Sequence, residues 1–77
     1  MNKRQLIKEA NQYRKQPEVP AGGIIVFSPL GVLSGWRDKL RNPETQAPGC
    51  LAIDEDGTIH KAQGGDWYNG ALEWVLV

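Results

Sequence analysis

The order of apolar and polar positions divides this chain into one helix followed by short strands. Apolar side chains recur at helical spacing near the N-terminus, at Leu6, Ala10 and Tyr13. Pro17 ends the pattern, because the residue before a proline avoids helical geometry. The sequence therefore predicts a helix over residues 2–16 with Asn2 as its N-cap. The opposite face of this helix is polar and basic, with Lys3, Arg4, Lys8, Asn11, Arg14 and Lys15.

The stretch Ile24–Phe27, read IIVF, is apolar without alternation. Such a run is typical of a strand buried on both faces, and it favours a central place in the sheet. Residues 28–31, read SPLG, have the residue types of a type I turn, so residues 32–36 are expected to return as a second strand. A helix beginning at Ser34 is the alternative, since serine also caps helices. Gly35 in the first turn of that helix argues against it.

Two apolar runs around the sequence EDG at residues 55–57 predict a β-hairpin. A three-residue loop with its glycine in the left-handed conformation forms a type I turn followed by a glycine bulge. This loop length places Ile53 opposite Ile59 and Leu51 opposite the stem of Lys61. The large aliphatic groups then share one face of the hairpin.

Two longer irregular segments, residues 37–48 and 63–70, lie on either side of the hairpin in the sequence. Long loops in a small domain are often functional. If these two segments meet on the same side of the sheet, we expect them to form a binding surface on the hairpin scaffold. Residues 71–77 then close the chain as a strand, with one face formed by Leu72, Trp74 and Leu76.

Together these elements predict an α+β fold in a single domain over residues 1–77. The helix occupies about residues 2–16 and the β-rich part about residues 23–77. We expect the helix to pack on a small twisted antiparallel sheet of four to five strands. A partly closed barrel is the alternative arrangement of the same strands.

The composition adds constraints on stability and location. A chain of 77 residues buries only about 60% of its unfolded surface, so its stability is marginal without a further constraint. The single cysteine, Cys50, cannot form an internal disulfide, and one cysteine with one histidine cannot hold a structural zinc ion. We therefore expect homodimerisation or docking on a partner to add stability. No secretory signal and no membrane span are recognisable, which together with the lone cysteine predicts a cytoplasmic location.

The net charge of zero conceals an uneven distribution of charge. Residues 1–41 carry eight basic and three acidic side chains, whereas residues 42–77 carry one basic and six acidic side chains. If the fold keeps the two groups apart, the molecule has a basic face and an acidic face that would orient it on a charged partner. If the fold interleaves them, these side chains are ordinary solvated surface.

No arrangement of residues indicates an enzyme. His60 is the only histidine, and no Ser-His-carboxylate or Cys-His set stands at a recognisable spacing. Turn chemistry explains the carboxylates of Asp54, Glu55 and Asp56, and the calcium-loop pattern is absent. The glycine pairs match no phosphate-binding motif. We therefore expect no catalytic residues, no metal and no cofactor.

Protein binding is the class of function that the composition favours. Three Trp and two Tyr are many for so small a core, and interfaces prefer both residues, with Arg, as anchors. The alternative for each ring is that it covers an open end of the core, which is the expectation for Trp74. Single-stranded nucleic-acid binding is a second class, although the acidic C-terminal half opposes it. The candidate partner-binding residues are Trp36, Arg37, Lys39, Arg41, Trp67 and Tyr68.

A longer motif runs through the β-rich part from Gly35 to Trp74, within a resemblance that spans about residues 19–76. It reads GW-x-x-x-L-R-x-P, then PGCLAIDEDG, then A-x-GG-x-x-Y-x-GA-x-x-W. Its positions in this chain are Gly35-Trp36, Leu40-Arg41, Pro43, Pro48-Gly49, residues 52–57, Ala62, Gly64-Gly65, Tyr68, Gly70-Ala71 and Trp74. The motif resembles the filamentation (Fil) proteins of temperate phages related to coliphage 186.

This resemblance implies a small phage protein, made early in lytic growth, that causes the host cell to filament. Such a protein would bind and inhibit a host protein of cell division or replication in the host cytoplasm. The resemblance implies no catalytic residue, which agrees with the residue-level reading. An inhibitor of a bacterial defence system is the alternative of the same class, since such proteins are equally small and poor in motifs.

Overall fold

The computed structural model describes residues 3–40 and 42–77. Within that part of the chain it contains one helix and five strands, which confirms the predicted α+β class. The helix α1 spans Lys3–Arg14, and a short 3-10 turn spans Pro43–Thr45. The strands are β1 (Ile24–Phe27), β2 (Leu33–Arg37), β3 (Leu51–Asp54), β4 (Ile59–Gln63) and β5 (Glu73–Leu76).

The five strands form one antiparallel sheet in the order β2-β1-β3-β4-β5. β2 and β5 are its two edges, so the sheet is open and the barrel alternative is wrong. Closure is unnecessary for burial here, because α1 covers one face of the open sheet. The apolar run of β1 is buried throughout and has a neighbouring strand on each side. The middle strand of the sheet, however, is β3.

One face of the sheet, called the helix face below, packs against α1. Leu6 and Ala10 are buried there against Ile25, Phe27, Ile53 and Ile59. α1 ends at Arg14, two residues before the predicted end. The reason is local: the backbone N–H groups of Lys15 and Gln16 donate three residues back along the chain and form tight turns before Pro17. The predicted cap Asn2 lies outside the described residues.

The opposite face, called the loop face below, is covered by the connection between β2 and β3. Leu40 in this connection packs against the buried side chains of Ile24, Val26 and Ala52. A neighbouring cluster contains Cys50, Ala62 and Ala71, with Ala47 and Trp74 at its margin. Trp74 packs against both clusters, as expected for this ring. The small residues on this face allow an irregular segment to lie close to the sheet.

The hairpin of β3 and β4 confirms the predicted register. Ile53 lies opposite Ile59, and Leu51 lies opposite Lys61. The N–H of Gly57 donates to the carbonyl of Asp54 at 3.0 Å, and Gly57 has a φ of 90°. This is the three-residue loop with a left-handed glycine that the sequence predicts.

The turn and strand after β1 also follow the prediction. The N–H of Gly31 donates to the carbonyl of Ser28 at 2.9 Å, which closes the expected turn. The segment that follows is the strand β2, so the alternative of a helix beginning at Ser34 is wrong. Pairing with β1 supplies the backbone hydrogen bonds that a helix would otherwise have provided.

No helix in the described part of the chain is long and apolar enough to cross a membrane.

Candidate functional site

The predicted partner-binding residues do not form one surface. Trp36 and Arg37 belong to β2 at one edge of the sheet, whereas Trp67 and Tyr68 precede β5 at the other edge. Four strand spacings separate these edges, a distance of about 19 Å. Lys39 follows β2 and is exposed, and Arg41 lies outside the described residues. The two aromatic groups must therefore be considered separately.

The first aromatic group, at Trp36, has a role in packing. The ring is half-buried and packs against the helix-face core. Its indole Nε1–H donates to the carbonyl of Gly22 at 2.9 Å. The neighbouring Arg37 is exposed, and its guanidinium donates to the carbonyl of Trp36 at 2.9 Å. Trp36 therefore attaches the segment before β1 to the edge of the sheet. This is the alternative role given above, in which a ring covers an open end of the core.

The second aromatic group is carried by a tight turn at residues 66–70, called the aromatic turn below. Asp66 and Gly70 pair through both backbone hydrogen bonds, at 3.2 and 2.9 Å, and so close the turn at its base. Trp67 and Tyr68 stand at its tip. Trp67 is 74% exposed and Tyr68 is 95% exposed. Both rings are therefore presented to solvent by a closed backbone loop.

The carboxylate of Asp66 holds the aromatic turn from inside. Its Oδ1 accepts hydrogen bonds from the N–H of Tyr68 at 3.0 Å and the N–H of Asn69 at 2.7 Å. Its Oδ2 accepts a third from the Asn69 side-chain amide at 3.2 Å. The hydrogen bonds donated by the backbone and side chain of Asn69 hold the pKa of the Asp66 carboxyl below its usual value. The hydrogen bond from the Tyr68 N–H makes a smaller contribution in the same direction. This is an Asx-turn, in which a short carboxylate replaces the hydrogen bonds of a regular element.

The base of the aromatic turn is attached to the connection between β2 and β3. The N–H of Ala71 donates to the carbonyl of Gln46 at 2.9 Å. Gly70 has a φ of 88°, and a Cβ atom at that position would overlap the backbone carbonyl of Glu44. The two irregular segments therefore contact each other at the base of the aromatic turn. The contact attaches the aromatic turn to the rest of the fold.

Charge around the aromatic turn is negative. Asp66 lies in the turn, Glu73 follows it at the start of β5, and Glu44 contacts its base through its backbone. All three side chains are exposed. Exposed basic side chains lie elsewhere in the described sequence, at Lys3, Arg4, Lys8, Lys15, Arg37, Lys39 and Lys61. The aromatic rings are therefore grouped with acidic residues, which is unfavourable for contact with a phosphate backbone.

Sequence reasoning placed Arg14 on the solvent side of the helix, and that placement is wrong. The Arg14 guanidinium donates to the carbonyls of Gly22 at 2.6 Å, Gly23 at 2.9 Å and Ile53 at 3.2 Å. It thereby joins the last turn of α1 to the linker before β1 and to β3. A signal was present in the spacing, since Leu6, Ala10 and Arg14 recur every four residues and so share one side of the helix.

Cys50, Asp54 and His60 lie in or next to strands β3 and β4, but they do not form a nucleophilic site. The His60 Nε2 atom lies 3.2 Å from the Asp54 Oδ2 atom. The Cys50 thiol is buried, and that burial raises its pKa, so the reactive thiolate is disfavoured. Among the described residues there is no group of three His, Cys, Asp or Glu side chains that could hold a metal ion.

Comparison with known protein families, with curated proteins and with solved structures finds no match to this chain. The function must therefore be argued from the residues themselves. The aromatic turn is the feature that combines exposed anchor residues with a constrained backbone, and we take it as the candidate functional site.

Proposed function

We propose that this protein acts by binding another protein through the aromatic turn. The observation that supports the proposal is the exposure of Trp67 and Tyr68 on a loop held by the Asp66 carboxylate. Exposed aromatic rings of this size are costly to leave in water, and they are the side chains that most often dominate the affinity of an interface.

The constrained backbone strengthens this proposal. Binding normally orders flexible loops at a cost in free energy, and a loop that is already ordered avoids much of that cost. Tyr and Trp add large contact area with only two side-chain torsions each, so little rotamer entropy is lost when they bind. The aromatic turn is therefore suited to act as an anchor that enters a pocket on a partner.

The acidic surroundings of the turn favour a protein partner over single-stranded nucleic acid. A stacking surface for nucleic acid combines aromatic rings with basic residues that follow the phosphates. Here the carboxylates of Asp66 and Glu73 border the rings in the sequence, and residues 62–77 contain no basic side chain. The partner surface is accordingly expected to be apolar at its centre and basic at its rim.

The resemblance to phage filamentation proteins adds a kind of partner and a cellular effect to the proposal. In this proposal the protein is an early phage protein that binds a host protein of cell division or replication and inhibits it by occupancy. No chemical step is required, since a stoichiometric inhibitor needs only affinity and sufficient abundance.

The test is the length of host cells that express the protein alone. The wild-type protein should produce elongated cells, and a variant with Trp67→Ala and Tyr68→Ala should not. A matched control is Leu30→Ala, which removes a side chain that is 89% exposed on the turn between β1 and β2. The control should elongate cells like the wild type, and all three proteins should be compared at equal soluble abundance.

Two results would count against the proposal in different ways. Normal cell length with abundant soluble wild-type protein would reject the filamentation activity. Elongation by the double variant as strong as that of the wild type would reject the aromatic turn as the anchor. Relief of a bacterial defence system, measured by plaque counts on defended and undefended hosts, would identify the alternative inhibitor.

A further inference from the structure

A second candidate site lies on the helix face, away from the aromatic turn. A groove of about 310 Å³ opens between the first turns of α1 and strands β3 and β4. Leu6 and Ile59, which are both nearly inaccessible, form its floor. Leu51, Pro29 and Val77 form its apolar walls. An apolar groove of this volume is at the small end of the range for ligand sites.

The charged side chains that line this groove have the same sign. They are Lys3 from α1 and Lys61 from β4, and both are exposed. None of the described residues that line the groove has an acidic side chain. Within the described residues, neither ammonium group has a hydrogen bond or ion pair with another residue. The groove therefore combines an aliphatic interior with two cations at its rim, which matches an anion that has an aliphatic body.

The polar groups of the groove distinguish a single aliphatic chain from a peptide. A peptide brings amide groups that need hydrogen-bond partners when they are buried. The lining side chains offer only the two ammonium groups, and the N–H of Gly49 already donates to the carbonyl of Ala62 at 2.7 Å. A methylene chain requires no such partners, so a free aliphatic carboxylate is the better match.

The volume sets the length of that chain. At roughly 30 Å³ for each water-sized group, the groove has space for about ten non-hydrogen atoms. Octanoate has that size. We propose that this groove binds a medium-chain fatty acid, with the chain on Leu6 and Ile59 and the carboxylate at Lys3 and Lys61. This site is independent of the aromatic turn and of the function proposed for it.

Titration of the wild-type protein with octanoate, octan-1-ol and octylamine tests the proposal directly, by NMR or calorimetry. The three probes share a chain and differ in the charge of the head group. Octanoate should bind best, the alcohol about two- to fivefold more weakly, and the amine most weakly, as expected for partly exposed ion pairs. Affinity should also rise about fourfold for each methylene added from hexanoate to octanoate.

Exposed lysines provide matched variants for the same measurement. Lys61→Gln and Lys3→Gln should each weaken octanoate binding about two- to fivefold and leave octan-1-ol binding unchanged. Lys8→Gln, a third exposed lysine outside the groove lining, should have no effect. Trp67→Ala should also leave octanoate binding unchanged, which separates this site from the aromatic turn.

Three results would overturn the proposal. The first is the absence of saturable octanoate binding up to about 10 mM. The second is equal affinity for octanoate and octan-1-ol, which would remove the role of the two lysines. The third is an equal loss of affinity in Lys8→Gln and Lys61→Gln, which would indicate attraction by overall charge without a defined site.

Discussion

Replacement of Gly70 by alanine tests how the aromatic turn is attached to the fold. In the native structure Gly70 has a φ of 88° and lies directly against the backbone carbonyl of Glu44. Alanine at this position introduces two separate costs. Its backbone is strained in the left-handed region, and its methyl group occupies the space of the carbonyl oxygen.

Gly57 is the matched control, because alanine there has the backbone strain without the steric overlap. Its φ of 90° is nearly identical, and a Cβ atom at Gly57 would meet only the end of the Ile7 side chain at 3.9 Å. Left-handed strain costs about 1–2 kcal/mol, partly offset by about 0.4–1 kcal/mol from a stiffer unfolded chain. Gly57→Ala should therefore lower the free energy of unfolding by about 0–1.6 kcal/mol. Overpacking at Gly70 should add a further ~1–3 kcal/mol.

Thermal denaturation followed by tryptophan fluorescence or circular dichroism measures both changes. For a domain of this size each kcal/mol corresponds to a shift in Tm of about 4–8 °C, so the difference between the variants is readily resolved. Equal destabilisation by Gly57→Ala and Gly70→Ala would refute the reasoning. It would mean that the aromatic turn does not contact the 3-10 segment, and the candidate site would lose its support.

Three further predictions follow from other contacts. Arg14→Met should destabilise the domain by about 2–4 kcal/mol in urea denaturation, because three backbone carbonyls lose a charged donor. The control Lys15→Met, at an exposed position, should change the free energy of unfolding by no more than about 0.5 kcal/mol. Similar values for both variants would contradict the placement of Arg14. The pKa of Asp66 is lowered, so the Asn69 amide signal followed by NMR should titrate with a midpoint below 3.8, the usual value for this carboxyl. A midpoint at or above 3.8 would contradict the hydrogen bonds to the Asp66 carboxylate. Because burial raises the pKa of the Cys50 thiol, a thiol reagent at pH 8 should label the native protein slowly and the denatured protein rapidly, and fast native labelling would place the thiol at the surface.

Short-range chemistry made much of the fold predictable from the sequence. The register of β3 and β4 depends on the length of one loop, and Gly57 with its acidic neighbours specifies that loop. The burial of β1 is evident in four consecutive apolar residues. Both features depend on residues close together in the chain, so local patterns contain the necessary information.

Contacts between distant residues were not predictable in the same way. Arg14 donates to the carbonyl of Ile53, 39 positions later, and local charge patterning gave no indication of that partner. Trp36 was equally a candidate for an interface or for the core, and the decision came from its hydrogen bond to Gly22 across the edge of the sheet. Such roles depend on which segments the tertiary fold brings together.

The candidate site was predictable in part. Trp67 and Tyr68 were identified by residue type and by their place in a glycine-rich segment, but the role of Asp66 was missed. The signal was the sequence DWYNG, in which Asp begins a tight turn and Asn-Gly ends it. The attachment of this turn to Glu44 and Gln46 depends on the tertiary fold and had no local signal.

The central claim is that the aromatic turn contacts a partner protein in the host cell. Site-specific photo-crosslinking from position 68 tests it most directly, with the same crosslinker at position 30 as the control, because Tyr68 and Leu30 are 95% and 89% exposed. The proposed function predicts a discrete adduct with one host protein from position 68 and none from position 30. No adduct from position 68, or the same adducts from both positions, would contradict the claim.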